Sequence, residues 1–433
     1  MISTKQIATL LLLIATALPD ALGAEDKSGP KFIPELQAAI ESILKETKTP
    51  GAAIAIVSRD KAEWVAGIGM ADVAAHKPVT AETLFRIGST SKAFAALAAQ
   101  LLDWLAIQLV WGVRVKSLLK QQSLAASPKL EEALQFLNGP DFIPVESRPA
   151  RLEFNPARSG LHFQFPSPRQ GEFAENNVVY GRLYRCAEGW QKRPVIILLH
   201  GAGGDPDYHF GFPLMARHCN RVGFNAATLM APCQFQRRPR QLASLNWPDY
   251  LLMAQIGKAQ AVAEIRALTG WLLAEGCPAV ALWGNSYGGA LAGLTACRDA
   301  RLSAVVLAAP GLDMNVFLSA AKHVISPRLR KELLRQQPAC EALNRTALNL
   351  ANLRPCIPKE NILLIEAIHD LFVDRNSMEA LWHAWGQPDI WRLPHSHASR
   401  SLVRGLTGRV LRWLSPRLNA PAVRTGETIV LPN

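Results

Sequence analysis

The chain has 433 residues, of which 49% are hydrophobic and 19% are charged, and its formal net charge is +12. This length allows two or three domains with sizeable cores, and the composition excludes a disordered or collagen-like chain. A basic balance can serve binding to nucleic acid, but the sequence has no RNP, KH, zinc-finger or helix-turn-helix pattern. We therefore expect a globular protein with a basic surface and no nucleic-acid partner.

Residues 1–23 have the three parts of a secretory signal peptide. Lys5 supplies the positive charge, an apolar run extends from Ile7 to Leu18, and Ala21-Leu22-Gly23 provides a small-x-small cleavage site. The apolar run is short for a transmembrane helix. These residues predict a secreted or periplasmic protein that keeps no stable membrane span once the signal is cleaved.

Residues 24–112 contain no cysteine and form the first of two segments. The helical spacing of apolar residues predicts a helix over Pro34 to Glu46, and Gly51 to Val57 is typical of a buried strand with a return strand after it. The apolar stretch from Ala93 to Val110 predicts a second helix. Asp103 interrupts that stretch, which favours a buried helix over a membrane helix.

Ser89 and Lys92 stand one helical turn apart in the stretch Phe85-Arg86-Ile87-Gly88-Ser89-Thr90-Ser91-Lys92. At that spacing the lysine amine can reach the serine hydroxyl and activate it. With the helix and strand before it, this SxxK pattern resembles the opening of class C serine β-lactamases and penicillin-binding proteins. The resemblance implies Ser89 and Lys92 as a secondary candidate site.

The other motifs of that family are not in place. Ser244-Leu245-Asn246 has the spacing of its Ser-x-Asn element but lies in the later segment, and Arg424-Thr425-Gly426 carries arginine where the family has lysine. We interpret the first segment as a truncated β-lactamase-like domain whose sheet would keep an unpaired edge. Ser89 is therefore not expected to be the working nucleophile.

Residues 113–433 alternate strands and helices in the manner of a mostly parallel sheet with helices on both faces. The predicted strands are Val178–Leu183, Val195–Leu199, Ala226–Met230, Ala279–Trp283, Ala304–Ala308, Ile362–Ile365 and Ile390–Leu393. The helix-rich, basic stretch from about 314 to 358 predicts a helical cap inserted over the site. The stretch from 114 to 156 is expected to be helical and then loop-rich.

Gly284-Asn285-Ser286-Tyr287-Gly288 has the GxSxG pattern, placed between a predicted strand and a predicted helix. This is the setting of a nucleophile elbow, in which a serine stands on a strained turn. Side chains at Gly284 and Gly288 would collide with neighbouring backbone, so glycine stands at both positions. Ser286 is therefore the predicted nucleophile.

A glycine-rich loop, His200-Gly201-Ala202-Gly203-Gly204, follows the second predicted strand. A loop of this kind can bind phosphate. This one lacks a Walker lysine and a GxGxxG pattern, which disfavours that role.

Candidate acids and histidines follow Ser286 in the sequence. The order serine, acid, histidine is that of acyl-transfer enzymes with a nucleophile elbow. Asp370 comes just past the sixth predicted strand and is the favoured acid, while Asp374 and Asp313 stay open as alternatives. Two histidines lie in the loop after the last predicted strand. His397 is the favoured base, with His395 as the substitute.

These motifs resemble the α/β-hydrolase superfamily over about 178 to 414, with an elbow similar to those of esterases, dienelactone hydrolases and prolyl-oligopeptidase-type peptidases. The resemblance implies that His397 takes the Ser286 proton, that Asp370 fixes the imidazole tautomer, and that the serine attacks a carbonyl. It also implies an oxyanion hole made by the backbone N–H groups of Ala202 and Tyr287. The motif residues that carry the resemblance are His200 and Gly201 in the loop and Gly284 and Gly288 in the elbow.

The leading hypothesis is a carboxylesterase that acts on a small-molecule ester and needs no cofactor or metal. A peptidase or amidase acting through Ser286 is one alternative, and a β-lactamase or β-lactamase-like esterase acting through Ser89 is another. The non-enzyme alternative is a cell-envelope binding protein with a degenerate hydrolase fold. Covalent labelling of the serine separates that alternative from the enzymes.

Seven cysteines lie in the second segment, and none has zinc-ligand or CxxC spacing. In an oxidising compartment an odd number leaves at least one thiol unpaired. A bridge between Cys340 and Cys356 and a set of free core thiols are both open.

Overall fold

The computed structural model describes residues 33–58, 61–85, 90–112, 129–142, 148–157, 160–186, 188–204, 207–243, 247–311 and 313–419. These residues fall into two compact units that divide between Ser91 and Lys92. The predicted signal peptide and Ser89 lie outside the described residues. Within the described ranges, no helix is long and apolar enough to cross a membrane.

The first unit consists of one helix and a small antiparallel sheet. Its elements are α1 (Ile33–Glu46), β1 (Gly51–Ser58), β2 (Lys61–Asp72) and β3 (Lys77–Pro78), and the strands pair in the order β1-β2-β3. Ile68 and Val79 are the buried hydrophobic side chains among its described residues, and α1 buries none. The predicted helix and strands therefore form, but with almost no core.

The second unit is built on a nine-stranded sheet. Its strands are β4 (Glu153–Ala157), β5 (Gly160–Pro166), β6 (Val178–Tyr184), β7 (Val195–Leu199), β8 (Asn225–Leu229), β9 (Val280–Asn285), β10 (Ala304–Ala308), β11 (Ile362–Ala367) and β12 (Asp389–Leu393). Their order across the sheet is β12-β11-β10-β9-β7-β8-β6-β5-β4. Strands β7 to β12 run parallel, and β6, β5 and β4 continue antiparallel. The prediction of a mostly parallel α/β sheet is confirmed.

The hairpin of β4 and β5 lies in a stretch where the sequence patterns predict no strand. Its register pairs Phe154 with Phe163, and the ring of Phe154 also contacts Trp271, with centroids 5.6 Å apart. The contact between Phe154 and Trp271 joins residues more than a hundred positions apart in the chain. A local sequence pattern does not show such a contact, and strand formation depends on packing of this kind.

Helices cover both faces of this sheet. The helices described beyond β3 are α2 (Thr90–Gly112), α3 (Lys129–Asn138), α4 (Phe212–Arg221), α5 (Trp247–Ala274), α6 (Tyr287–Ala296), α7 (Asn315–Ala321), α8 (Pro327–Arg335), α9 (Gln337–Asn344), α10 (Arg375–Ala384) and α11 (Leu406–Asn419). Side chains of β7 alternate between two hydrophobic clusters, with Val195, Ile197 and Leu199 in one and Ile196 and Leu198 in the other. Helices α5, α6 and α10 pack into the first cluster, and α4 and α11 pack into the second.

Helices α7 to α9 form an insertion between β10 and β11, in the stretch predicted as a cap. Helix α2 packs against this insertion through the buried Ile107. Ala99 and Asp103, at four-residue intervals before Ile107, are also buried. The two compact units divide between Ser91 and Lys92, so Ile107 and the residues that it packs against all lie in the second unit.

All seven cysteines lie in the described part of the chain, and all are free thiols. Cys340 is buried in α9, while the Sγ of the exposed Cys356 donates to the carbonyl oxygen of Cys297 at 3.2 Å. The bridge between Cys340 and Cys356, one of two open alternatives, is thus not formed. Burial raises the pKa of the Cys340 thiol to about 12, as expected of a core thiol.

Candidate active site

The carboxyl ends of the parallel strands bring four loops to one edge of the sheet. Strands β7 and β9 are neighbours although β8 lies between them in the chain, so the direction of strand addition reverses at this point. Loops that leave neighbouring strands at such a reversal open a crevice for a ligand. The loop 200–204 follows β7 and Ser286 follows β9, while Asp370 and His397 follow β11 and β12.

Ser286 occupies the tight turn between β9 and α6. Its φ of 52° and ψ of −115° are strained values for a residue with a side chain. A Cβ at Gly284 would overlap the carbonyl of Gly288, and a Cβ at Gly288 would overlap that of Leu199. The serine backbone is held on both sides, because its N–H donates to Ala308 at 2.9 Å and its carbonyl accepts from Gly311 at 3.0 Å.

Ser286, His397 and Asp370 form one hydrogen-bonded chain. The Nε2 of His397 lies 2.9 Å from the Oγ of Ser286, and its Nδ1 lies 2.7 Å from the Oδ2 of Asp370. The other oxygen of Asp370 accepts from the backbone N–H groups of Phe372 and Val373, each at 2.8 Å. With Nδ1 protonated toward the carboxylate, Nε2 is the atom that can accept the serine proton.

The alternative acids and base occupy other positions. Asp374 caps α10 by accepting from the N–H of Asn376 at 3.0 Å, and Asp313 accepts from the N–H of Asn315 at 2.9 Å. Burial raises the pKa of Asp313. Of the two candidate histidines, His397 is the one whose ring contacts both Ser286 and Asp370.

The loop 200–204 lies directly beside Ser286. A Cβ at Gly201 would lie 3.4 Å from the Cβ of Ser286. The buried ring of His200 braces the loop, because its Nδ1 lies 2.8 Å from the carbonyl oxygen of Gly201 and its Nε2 accepts from the N–H of Ala231 at 3.1 Å. Ala202 follows in this loop, and Tyr287 is the first residue of α6 after the serine.

Two charged residues that the sequence analysis did not assign to the site surround His397. Asp103 accepts hydrogen bonds from backbone groups of both loops that carry the acid and the histidine. Arg400 donates to the carbonyl oxygen of His397 at 2.6 Å. Burial lowers the pKa of Arg400, and the carboxylates of Asp370, Asp207 and Asp103 oppose that shift. The sequence offers one sign that Asp103 has polar partners, because it interrupts the apolar stretch of α2.

The secondary candidate site cannot be described in the same way. Ser89 lies outside the described residues, and Lys92 is described as part of the backbone of α2 without its side chain. The SxxK assignment therefore stays a prediction.

Comparison with protein families gives two matches. A model of the β-lactamase family matches residues 36–134, and a model of the alpha/beta hydrolase family matches residues 196–433, more than half of the chain. The first match runs past Gly112 and includes the whole of α2. The second contains Ser286, Asp370 and His397.

Curated relatives match only in part. An uncharacterized protein of Mycobacterium tuberculosis is 27% identical over 236 residues, which are 53% of this chain and 55% of that protein. The unguisins hydrolase of Aspergillus violaceofuscus is 38% identical over 81 residues, 18% of this chain and 14% of that protein. The chain spans about half the length, or less, of these relatives.

Solved structures of esterases are also similar. An acetyl xylan esterase from Paenibacillus sp. R4 has 14% identity and a TM-score of 0.42, and the match covers 70% of this chain and 98% of the esterase. An esterase of Pyrococcus furiosus has 13% identity and a TM-score of 0.43, with coverage of 62% and 97%. Structural similarity at such low identity and TM-score gives no information about the substrate of this chain.

Proposed function

The chain belongs to the alpha/beta hydrolase family, and we propose that it is a serine hydrolase that cleaves carboxylic esters of small molecules. The observation that supports this proposal is the hydrogen-bonded chain from the Oγ of Ser286 through His397 to Asp370. The strained backbone of Ser286 is a second support, because such strain is typical of a nucleophile held out toward its substrate.

In the proposed reaction His397 acts first as a base and then as an acid. Its Nε2 takes the proton of Ser286 while Oγ attacks the ester carbonyl, and Asp370 stabilises the imidazolium that results. The N–H groups of Ala202 and Tyr287 would hold the negative oxygen of the tetrahedral intermediate, a contribution of roughly 3 kcal/mol for each donor. The imidazolium then protonates the leaving alcohol, and the acyl group stays on the serine.

The second half of the reaction repeats these steps with water. His397 removes a proton from a water molecule, the hydroxide attacks the acyl-serine carbonyl, and the proton returns to Oγ as the acid leaves. The reaction consumes one water and releases one alcohol and one carboxylic acid. It requires no redox step.

The test compares two serines in the full-length protein. We would measure hydrolysis of p-nitrophenyl acetate, butyrate and octanoate, with nitrocefin and a p-nitroanilide in parallel, for wild type, Ser286→Ala and the matched control Ser89→Ala. We expect Ser286→Ala to lower kcat by at least about 10⁴-fold and Ser89→Ala to leave it unchanged. Labelling by a fluorophosphonate probe should be lost only in Ser286→Ala.

Each other outcome points to one alternative. Nitrocefin turnover that depends on Ser89 would establish the β-lactamase-like site. Anilide turnover above ester turnover, with dependence on Ser286, would make the protein an amidase or peptidase. A wild-type protein that the fluorophosphonate does not label would be a binding protein with a hydrolase fold.

A further inference from the structure

The carboxylate of Asp103 joins the two loops that carry the acid and the histidine. Its Oδ2 accepts from the N–H of Leu371 at 3.1 Å and from the N–H of His397 at 2.9 Å, and its Oδ1 accepts from the N–H of Ala398 at 2.8 Å. Leu371 directly follows Asp370 in the chain. One side chain therefore binds the neighbour of the acid and the histidine itself.

This carboxylate is completely buried, with 0% of Asp103 exposed to solvent. A buried carboxylate costs several kcal/mol unless hydrogen bonds replace its water. Three backbone donors supply that replacement, so the two loops and the carboxylate depend on one another. A displacement of either loop would leave a buried charge without its donors.

The peptide groups of His397 are held on both sides. Its N–H donates to Asp103, and its carbonyl oxygen accepts from the buried Arg400 at 2.6 Å. The ring of Phe372 lies beside the imidazole with centroids 5.0 Å apart, and Phe372 also packs against the cluster that contains Ile107. The imidazole is thus fixed from its backbone as well as through its ring nitrogens.

Helix α2 is itself anchored, which gives Asp103 a fixed position. Ile107, one turn further along, is fully buried against the insertion, beside Ala320 and Leu329. The side chain of Gln108 donates to the carbonyl oxygen of His323 at 2.8 Å and accepts from the N–H of Ile325 at 3.3 Å. The helix therefore spans from the insertion to the two loops.

We propose that Asp103 is a positioning residue, which keeps the Asp370 loop and the His397 loop in the register that aims Nε2 at Ser286. The proposal rests on the proposed function of Ser286 and deepens it. Asp103 lies in the segment that matches the β-lactamase family, residues 36–134. A helix that matches the β-lactamase family thus holds two loops of the site that matches the alpha/beta hydrolase family.

The test variant is Asp103→Asn, with Asp299→Asn as the matched control. An amide has one acceptor oxygen where the carboxylate has two, so at least one of the three backbone donors loses its partner. Asp299 is also buried, and it pairs with Arg301 and Arg266. We expect Asp103→Asn to lower kcat on a p-nitrophenyl ester by about 10²-fold and to change KM by less than about 3-fold. The reason is that displacement of a reacting group by about 1 Å lowers the rate by about that factor. Asp299→Asn should leave kcat unchanged.

A spectroscopic readout separates this proposal from the proposed function. In protein labelled with ¹⁵N-histidine, the proton on Nδ1 of His397, assigned with His397→Gln, should resonate at low field because of its bond to Asp370. We expect Asp103→Asn to move that resonance upfield or broaden it, whether or not the protein cleaves esters. Absence of ester turnover in wild type would overturn the proposed function alone. A folded Asp103→Asn protein with the wild-type resonance and kcat would overturn the role of Asp103.

If Asp103→Asn does not fold, Gln108→Ala decides the question. This variant removes the hydrogen bonds that anchor α2 to the insertion and leaves the carboxylate in place. We expect kcat to fall about 3- to 10-fold at constant KM, with a weaker resonance shift of the same sign. An unchanged kcat and resonance would overturn the proposal.

Discussion

The two compact units of this chain differ in how much of their structure they bury. Among described residues the first unit hides two hydrophobic side chains, Ile68 and Val79, whereas the second packs a nine-stranded sheet between two large hydrophobic clusters. Both units contain the strands that their patterns predict, and the second unit adds the hairpin of β4 and β5. Local patterning therefore predicts most of the strands, but a core requires layers on both faces of a sheet.

Helix α2 shows what this difference means for the chain. It lies in the segment that matches the β-lactamase family, yet from Lys92 onward it belongs to the second compact unit. Its buried Ile107 packs against the inserted helices. The compact unit to which a segment belongs is thus decided by packing and not by the family model that the segment matches.

The largest expected effect comes from breaking the hydrogen-bonded chain of Ser286, His397 and Asp370 in the second unit. Asp370→Asn keeps the shape of the side chain but favours the wrong tautomer of His397, so we expect kcat to fall by roughly 10³- to 10⁴-fold with little change in KM. The control is Asp374→Asn, because asparagine also caps helices well. Steady-state kinetics on a p-nitrophenyl ester check both, and an equal loss in the control would refute the assignment of the acid.

The next effect concerns the core of the second unit. Leu364 in β11 is fully buried, and Leu364→Ala should lower the free energy of unfolding by about 2–5 kcal/mol through lost burial and a residual cavity. Leu364→Met conserves volume and should cost less than about 1.5 kcal/mol. Urea unfolding followed by circular dichroism measures both. Equal losses would mean that this core is less tightly packed than its burial indicates.

A smaller, pH-dependent effect tests whether the second unit excludes water. Burial lowers the pKa of Lys258 from 10.5 to about 8, opposed by the charge of Asp313. Below pH 8 the Lys258 amine is protonated in both the folded and the unfolded chain, and its buried charge destabilises the fold. Between pH 8 and 10.5 the unfolded state binds more protons, so the free energy of unfolding rises with pH.

The measurement compares wild type with Lys258→Met by urea unfolding at pH 7 and pH 10. The free energy of unfolding of wild type, relative to the variant, should increase by roughly 2.5 kcal/mol between these pH values. Parallel pH dependence of the two proteins would place the ammonium in contact with water.

The smallest effect is expected in the first unit. Val65 in β2 is 51% exposed, and Val65→Thr should change the thermal stability by the equivalent of less than about 0.5 kcal/mol because little burial is lost. Ile68→Ala on the same strand is the matched control and should cost more. A large loss at Val65 would erase the contrast between the units, since it would show that something covers this face.

The sequence by itself determined the parallel strands of the second unit and the order of its functional loops. Strands β7 and β10 have the predicted bounds, because strands buried on both faces are continuous apolar runs with clear ends. The elbow was also readable, since the glycine at 284 is required by steric contact with Gly288, four residues later. Such features depend on neighbours in the chain.

Only the tertiary structure decided which of three aspartates contacts His397, that β4 and β5 extend the sheet, and what Asp103 contacts. The hydrogen bonds of Asp103 join residues 268 to 295 positions apart. An aspartate in an apolar helix indicates that polar partners must meet it when it is buried. The identity of those partners is a property of the folded chain, because no local pattern records which distant loops will reach the same edge of a sheet.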